Sequence, residues 1–237
     1  MELRGSVALV TGAGRGIGRA IALALAREGA AVATVSRSAP ELDQVVGRIE
    51  ALGGRGLAFA GDLRDASVCE AAVAATVERF GGLQILVNNA GVGLFKPVAE
   101  TTDEEWDAVL STNLTAVFRL TRAALPHLAR RGGHVLMISS LAGSNPGPAM
   151  ATYGASKAAL DYFAQSLLLE VRHQGVKVTT IAPGSVATGF SGSARPASAD
   201  WMLTPEDLAE TAIGLLRMRD AALSSRVEMR PARPQKR

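Results

Sequence analysis

The sequence predicts a doubly wound α/β fold, a mostly parallel sheet with helices on both faces, and three observations carry that reading. Six short apolar runs recur along the chain, at 7–10, 31–35, 56–60, 84–87, 134–138 and 176–181. They are continuous in Val, Ile, Leu and Ala rather than alternating with polar residues, as strands covered on both faces require. Longer stretches with room for helices separate them, and turn residues stand at the boundaries.

The elements follow in order. The first run ends in Thr11-Gly12-Ala13-Gly14-Arg15-Gly16-Ile17-Gly18, and Ile17, Ala20, Ile21, Ala24 and Leu25 then repeat at the spacing of a helix with one buried stripe. The second run leads through Val35-Ser36-Arg37-Ser38 into a helix over 40–53. The third is followed by Asp62-Leu63 and a helix over 65–80, and the fourth ends in Asn88-Asn89-Ala90-Gly91. Thr102 and Glu105 have capping-box spacing at the entry to a long helical segment, 103–131. Ser140 follows the fifth run, and a helix is expected over 151–173. After the sixth come Pro183-Gly184 and the one long irregular segment, 184–203, of a length that is usually functional or mobile. Thr204-Pro205-Glu206-Asp207 supplies a cap, a first-turn proline and two early carboxylates for a helix over 205–219. A last strand is expected near 226–230, giving one domain over 1–230 and a basic tail over 231–237.

Composition narrows the function classes. A chain of 237 residues, 48% hydrophobic and 20% charged, can bury a sizeable core, which excludes disorder for the chain as a whole. The net charge of +3 suggests a polyanion partner. The last twelve residues, however, hold Arg226, Arg230, Arg233, Lys236 and Arg237 against Glu228 alone, leaving 20 basic and 21 acidic residues in the preceding 225. The body is nearly neutral, and no nucleic-acid partner is expected. The single cysteine, Cys69, excludes an internal disulfide framework, and His127, His134 and His173 show no ligand-like pairing, so no metal is expected. No apolar run reaches the ~20 residues of a membrane span and no cleavable signal pattern is visible, so a cytoplasmic location and no membrane partner are expected.

The glycine loop between the first strand and the first helix carries the clearest chemistry. Gly12 permits a sharp turn, Gly16 a close approach of backbone to a pyrophosphate, and Gly18 tight packing of helix on sheet. The phosphates would meet free N–H groups at the positive end of a helix dipole. After the second strand, Arg37 stands where a carboxylate would otherwise bind a ribose 2′-hydroxyl. A guanidinium there can pair with a 2′-phosphate, with Arg15 reaching the same group, so NADP is preferred over NAD; two solvated arginines are the alternative. Asp62, beside Leu63, is placed either to accept from an adenine amino group or to cap the next helix. Tyr153 and Lys157 are four residues apart, on one helix face.

With these residues assembled, the chain closely resembles the short-chain dehydrogenase/reductase family over residues 5 to about 230. The resemblance rests on Thr11 to Gly18, Asn88-Asn89-Ala90-Gly91, Asn113, Ser140, Tyr153-Gly154-Ala155-Ser156-Lys157 and Pro183-Gly184. It implies a Rossmann-like domain with a catalytic tetrad of Asn113, Ser140, Tyr153 and Lys157. It also implies a cofactor site built from Gly12, Gly14, Arg15, Gly16, Ile17, Gly18, Ser36, Arg37, Asp62, Leu63, Asn89, Ala90, Gly91, Tyr153, Lys157, Pro183, Gly184, Val186 and Thr188. Thr188 matches the position that bonds the nicotinamide carboxamide. Ser140, Leu141 and Tyr153 would contact substrate, and Asn113 would position a water for proton relay.

The implied reaction is reduction of a ketone or 3-oxoacyl group to the secondary alcohol, with Ser140 bonding the carbonyl and Tyr153 donating the proton. A Lys157 ammonium about 4 Å from the phenol, at an effective dielectric of about 20, would favour its ionisation by about 4 kcal/mol, roughly three pKa units. By the family's geometry the pocket takes in Leu94, Phe95, residues 141–150 and residues 185–203 with Phe190, Trp201 and Met202. These are mainly small or apolar, suited to a neutral carbonyl compound or an acyl thioester; Arg195 either meets an acidic group or is solvated. The ending Arg226-Val227-Glu228-Met229-Arg230-Pro231 departs from many 3-oxoacyl-carrier-protein reductases. It is more similar to members acting on 3-hydroxy acids, serine-like amino alcohols and miscellaneous carbonyls. A 3-hydroxy acid or serine-type dehydrogenase, or a catalytically silent cofactor-sensing regulator, are therefore the alternatives. A homo-oligomer, dimer or tetramer, built on the helices over 112–131 and 151–173, is also implied.

Overall fold

The computed structural model describes residues 1–190 and 200–233. Its strands are β1 (Val7–Thr11), β2 (Ala31–Ser36), β3 (Arg55–Ala60), β4 (Ile85–Asn88), β5 (His134–Ile138), β6 (Lys177–Pro183) and β7 (Arg226–Met229). They form one parallel sheet in the order β3-β2-β1-β4-β5-β6-β7. The chain builds outward from β1 to β3 on one side, then crosses back to β4 and builds outward on the other. Connections on either side of that reversal diverge, so a crevice opens above the carboxyl ends of β1 and β4.

Among the described residues seven helices cover the sheet: α1 (Gly16–Arg27), α2 (Ala39–Ala51), α3 (Ala66–Phe80), α4 (Asp103–Leu110), α5 (Ala116–Leu128), α6 (Ala151–Val171) and α7 (Pro205–Arg217). On one face Ile21, Leu25, Leu42, Ile49 and Leu208 pack with Ala8 and Val10. On the other, Leu120, Leu128, Leu160 and Leu167 pack with Leu9 and Met137. Successive residues of β1 thus enter opposite cores, which is why its sequence shows no polar alternation. β3 differs: it is the sheet edge, paired with β2 alone, and both of its end residues, Arg55 and Ala60, are exposed.

Helix entries follow the capping chemistry. Thr102 and Glu105 form a reciprocal capping box, and Thr204 does the same with Asp207. Asp65, not Asp62, caps α3, its Oδ1 accepting from Ser67 N at 2.8 Å. The long segment over 103–131 is not one helix. A π-helical turn, Ser111–Thr115, separates α4 from α5 and carries the fully buried Asn113. Among the described residues no helix is long and apolar enough to cross a membrane, and no cluster of His, Cys, Asp and Glu could hold a metal ion. Arg195 and residues 234–237 of the basic tail lie outside the described residues.

Candidate active site

A cleft of about 1040 Å³ runs along the carboxyl ends of the strands at the point where their order reverses. Its floor on one side is the glycine loop, where Gly12 and Gly16 adopt φ of +62° and +55°, conformations that favour glycine. Gly18 lies beneath the cleft rather than in its lining: a Cβ there would stand 2.4 Å from the Gly12 carbonyl oxygen and 2.5 Å from Asn89 Nδ2. Thr11 Oγ1 donates to Val87 O and accepts from the backbone N–H groups of Asn89 and Ala90, at 2.9 and 3.0 Å. Asn89 Nδ2 in turn donates to Thr11 O at 2.8 Å. The Asn-Asn sequence is therefore a brace between β1 and β4, not a simple turn.

The site fits a dinucleotide phosphate on its own chemistry. Arg15, the cap residue of α1, makes no side-chain cap bond, and the first turn holds no acidic residue. The leading N–H groups thus face the cleft without a side-chain acceptor from the cap or a carboxylate from the first turn, at the positive end of the helix. The lining of the cleft includes Arg15, Arg19, Arg37 and Arg64, together with Ser36 and the carboxylates of Glu41, Asp62, Glu105 and Glu206. The Arg64 guanidinium clamps Asp62, with Nη2 to Oδ2 at 2.6 Å, and holds its carboxyl below the usual range. Leu63 lines the cleft while its side chain is buried in the core. Glu41 and Arg64 were not legible as site residues; only the fold brings Glu41 to Gly14, where a Cβ would meet its Oε2 at 2.7 Å.

At the other end, α6 presents Tyr153 and Lys157, both buried. Ser140 begins the 3-10 turn Leu141–Gly143, its Oγ accepting from Ala142 N at 3.1 Å. Lys157 Nζ donates to the Ile138 carbonyl at 2.8 Å and lies 5.9 Å from the centre of the Tyr153 ring. Burial pushes the Lys157 ammonium down to about 8, with the Asp161 charge opposing the fall. Burial also pushes the Tyr153 phenol above its ordinary 10, and a hydrogen bond with Ser140 opposes that rise. The expectation that Lys157 lowers the tyrosine therefore needs correction. Here desolvation of the phenol is the largest influence and outweighs its hydrogen bond with Ser140.

Asn113 is bonded to protein groups through both ends of its amide. Its Oδ1 accepts from Val92 N at 2.8 Å, and its Nδ2 donates to Val92 O at 2.9 Å and to Ser156 Oγ at 3.0 Å. It stands behind the cleft wall, its amide engaged by the loop after β4 and by α6. Gly91 separates it from Lys157, since a Cβ there would lie 3.3 Å from Asn113 Oδ1 and 3.7 Å from Lys157 Nζ.

The rings of Phe95 and Phe190 flank Tyr153 at 5.6 and 5.7 Å between centroids. Leu94, Ala90, Gly91, Pro183, Gly184, Val186 and Thr188 line the cleft with Gly14, Gly16 and Ile17, so most of the expected cofactor set is brought together. Thr188 reaches across it, its Cγ2 standing 3.4 Å from where a Cβ on Gly16 would lie. Leu141, Trp201 and Met202 are not in the lining; Leu141 packs beside Gly184 instead.

Comparison with known proteins agrees with this architecture. Residues 6–199 match the model of the short chain dehydrogenase family. A hydroxynaphthalene reductase-like protein of Metarhizium robertsii is 40% identical over 189 residues, covering 79% of this chain and 70% of the relative. The 3-oxoacyl-[acyl-carrier-protein] reductase of Vibrio cholerae is 39% identical over 192 residues, 81% of this chain and 78% of its own. Among solved structures, an alcohol dehydrogenase of Thermococcus sibiricus complexed with 5-hydroxy-NADP superposes with a TM-score of 0.92 at 31% identity, covering 98% of this chain and 99% of that one.

Proposed function

This chain belongs to the short-chain dehydrogenase family, and we propose that it is an NADP-dependent carbonyl reductase converting a ketone to the secondary alcohol. The observation that carries the reading is one cleft holding a glycine loop, an arginine-rich rim and, at its far end, Ser140, Tyr153 and Lys157. Backbone N–H groups of the loop and α1 would bind the pyrophosphate, and Arg37 with Arg15 the 2′-phosphate. The 5-hydroxy-NADP of the Thermococcus sibiricus relative is in keeping with that choice. Asp62 and Leu63 would border the adenine, Asn89 to Gly91 and Lys157 the nicotinamide ribose, and Pro183 to Thr188 the nicotinamide.

NADPH bound there would supply the hydride for the carbonyl carbon. The chain supplies the rest. The Ser140 hydroxyl donates to the carbonyl oxygen as negative charge develops on it, and the Tyr153 hydroxyl delivers the proton. Because burial raises the phenol, Tyr153 holds its proton at neutral pH. Lys157, cationic below about 8, stabilises the phenolate left behind.

Phe95 and Phe190 make the surroundings of Tyr153 aromatic, which favours a flat, apolar carbonyl substrate. The name of the Metarhizium robertsii relative fits such a substrate. A 3-oxoacyl thioester is the second reading, favoured by the resemblance to the Vibrio cholerae enzyme. Phe118 on α5 and Tyr162 and Leu169 on α6 expose apolar surface, consistent with a homo-oligomer formed on these helices.

The test is NADPH oxidation against a panel of aryl ketones, diketones, acetoacetyl thioesters and 3-oxo acids, followed by absorbance. Tyr153→Phe is expected to reduce turnover at least about 10²-fold while NADPH binding stays within about threefold. Unchanged turnover would remove Tyr153 from the role of acid.

A further inference from the structure

Four residues beyond Lys157, on the same face of α6, stands Asp161, a carboxylate only 6% exposed. Its Oδ2 accepts from Arg226 Nη1 of β7 at 2.6 Å, while its Oδ1 is buried and takes no hydrogen bond from any described group. Arg226 also donates to Ser144 Oγ and Glu228 Oε1, both at 3.3 Å, and Arg230 holds Glu228 from its other oxygen at 3.0 Å. Ser144 closes the turn that begins at Ser140. Gly143 of that turn lies against α6 so closely that a Cβ would meet the Lys157 carbonyl carbon at 3.0 Å and Asp161 Oδ2 at 3.2 Å. One guanidinium therefore ties together the helix bearing Tyr153 and Lys157, the turn bearing Ser140, and the last strand. A half-paired carboxylate is costly to bury, and its unclaimed oxygen leaves negative potential one helical turn from the lysine.

We propose that the Asp161–Arg226 pair is a positioning element of the active site that keeps Lys157 in its cationic form, with Arg226 setting how much of the Asp161 charge the lysine feels. The proposal rests on the reading of Lys157 as the cation beside the proton donor. Facing Lys157 are Tyr153 and Asp161 of its own helix, the Ile138 carbonyl from β5 and, beyond Gly91, the Asn113 amide. Facing Asp161 is Arg226, and behind it Glu228 and Arg230. Among the described residues, the Asp161 charge is what opposes the desolvation of Lys157.

The chain has four lysines, Lys96, Lys157, Lys177 and Lys236, so protein labelled with carbon-13 at lysine Cε gives four resonances to titrate by NMR. Lys157 is assigned by its absence in Lys157→Arg. Asp161→Asn is expected to lower the Lys157 midpoint by about one pH unit, the order produced by a charge at the one-turn helix spacing of about 6 Å, at an effective dielectric of ~20 and half offset by its own partner. Arg226→Gln, which leaves the carboxylate unpaired, moves the midpoint the opposite way, and Arg226→Lys returns it to the wild-type value. The basic limb of kcat/KM for carbonyl reduction follows, so one unit above the wild-type midpoint Asp161→Asn loses about tenfold. A purely structural pair would lower the melting temperature of both variants and leave the midpoints together. Midpoints within about 0.2 unit of wild type in both variants overturn the proposal. Should one variant fail to fold, the other decides alone. If the wild type reduces no carbonyl, the functional reading fails, while the NMR midpoints still decide this inference.

Discussion

Replacing Asn113 by alanine separates a structural from a water-positioning role. The substitution removes three hydrogen bonds from a fully buried site: Val92 N to Oδ1, and Nδ2 to Val92 O and to Ser156 Oγ. Ser156 keeps its own donor bond to Tyr153 O at 2.7 Å, so its loss is small. The Val92 N–H is left without its acceptor, at a cost of about 1–3 kcal/mol, and the emptied space adds about 1 kcal/mol more. The expected loss is therefore about 3 kcal/mol, or roughly 6–12 °C in melting temperature for a chain of this size. Thermal and urea unfolding at fixed protein concentration read the loss, and hydrogen exchange of the Val92 amide reads its location. A variant destabilised by less than about 1 kcal/mol, with the Val92 amide still protected, would refute the reasoning and return Asn113 to a purely catalytic role.

Two further outcomes are expected. Arg37→Asp should weaken NADPH binding roughly 10- to 100-fold, the worth of one charge-assisted bond to a phosphate, and change NADH binding by less than about threefold; equal losses in a fluorescence titration would sink the 2′-phosphate assignment. His134, only 2% exposed, is depressed by burial from 6.5 to about 3. A depressed base contributes stability that is fully present above its unfolded value and is lost as pH falls from 6.5 toward 3. Urea unfolding should therefore show about 2 kcal/mol lost between pH 7 and pH 5 on this account, and His134→Gln should flatten that slope; an unchanged slope refutes it.

Features that repeat or act locally were legible in the sequence. A sheet buried on both faces writes itself as continuous apolar runs, a phosphate loop as glycines between strand and helix, and two side chains on one helix face as an interval of four. Local rules also found the capping box at Thr102 and the cap at Thr204. What remained hidden depends on contacts between distant segments. The exposure of β3 follows from its place at the sheet edge, which no local pattern records. The π-helical turn shows in the sequence only as an asparagine of poor helix propensity inside a long helix. Arg226 was counted with the basic end of the chain, yet it is bonded to a carboxylate 65 residues earlier. The interval of four between Lys157 and Asp161 was the available signal for that carboxylate.

The site is consequently assembled in two ways. The sheet sets where the strand ends lie, but four buried polar side chains fix the loops that leave them. Thr11 joins β1 to the start of the loop after β4, Asn113 joins that loop to α6, Lys157 joins α6 to the end of β5, and Asp161 joins α6 to β7. Each such bond contributes only about 1 kcal/mol net, yet leaving one unmade in the interior costs more than making it gains. These contacts thus act chiefly by penalising every arrangement in which the loops sit elsewhere. Three of the four end on α6, which is why a change at Asn113 or Asp161 is expected to be felt at Tyr153 and Lys157 although neither side chain lines the cleft.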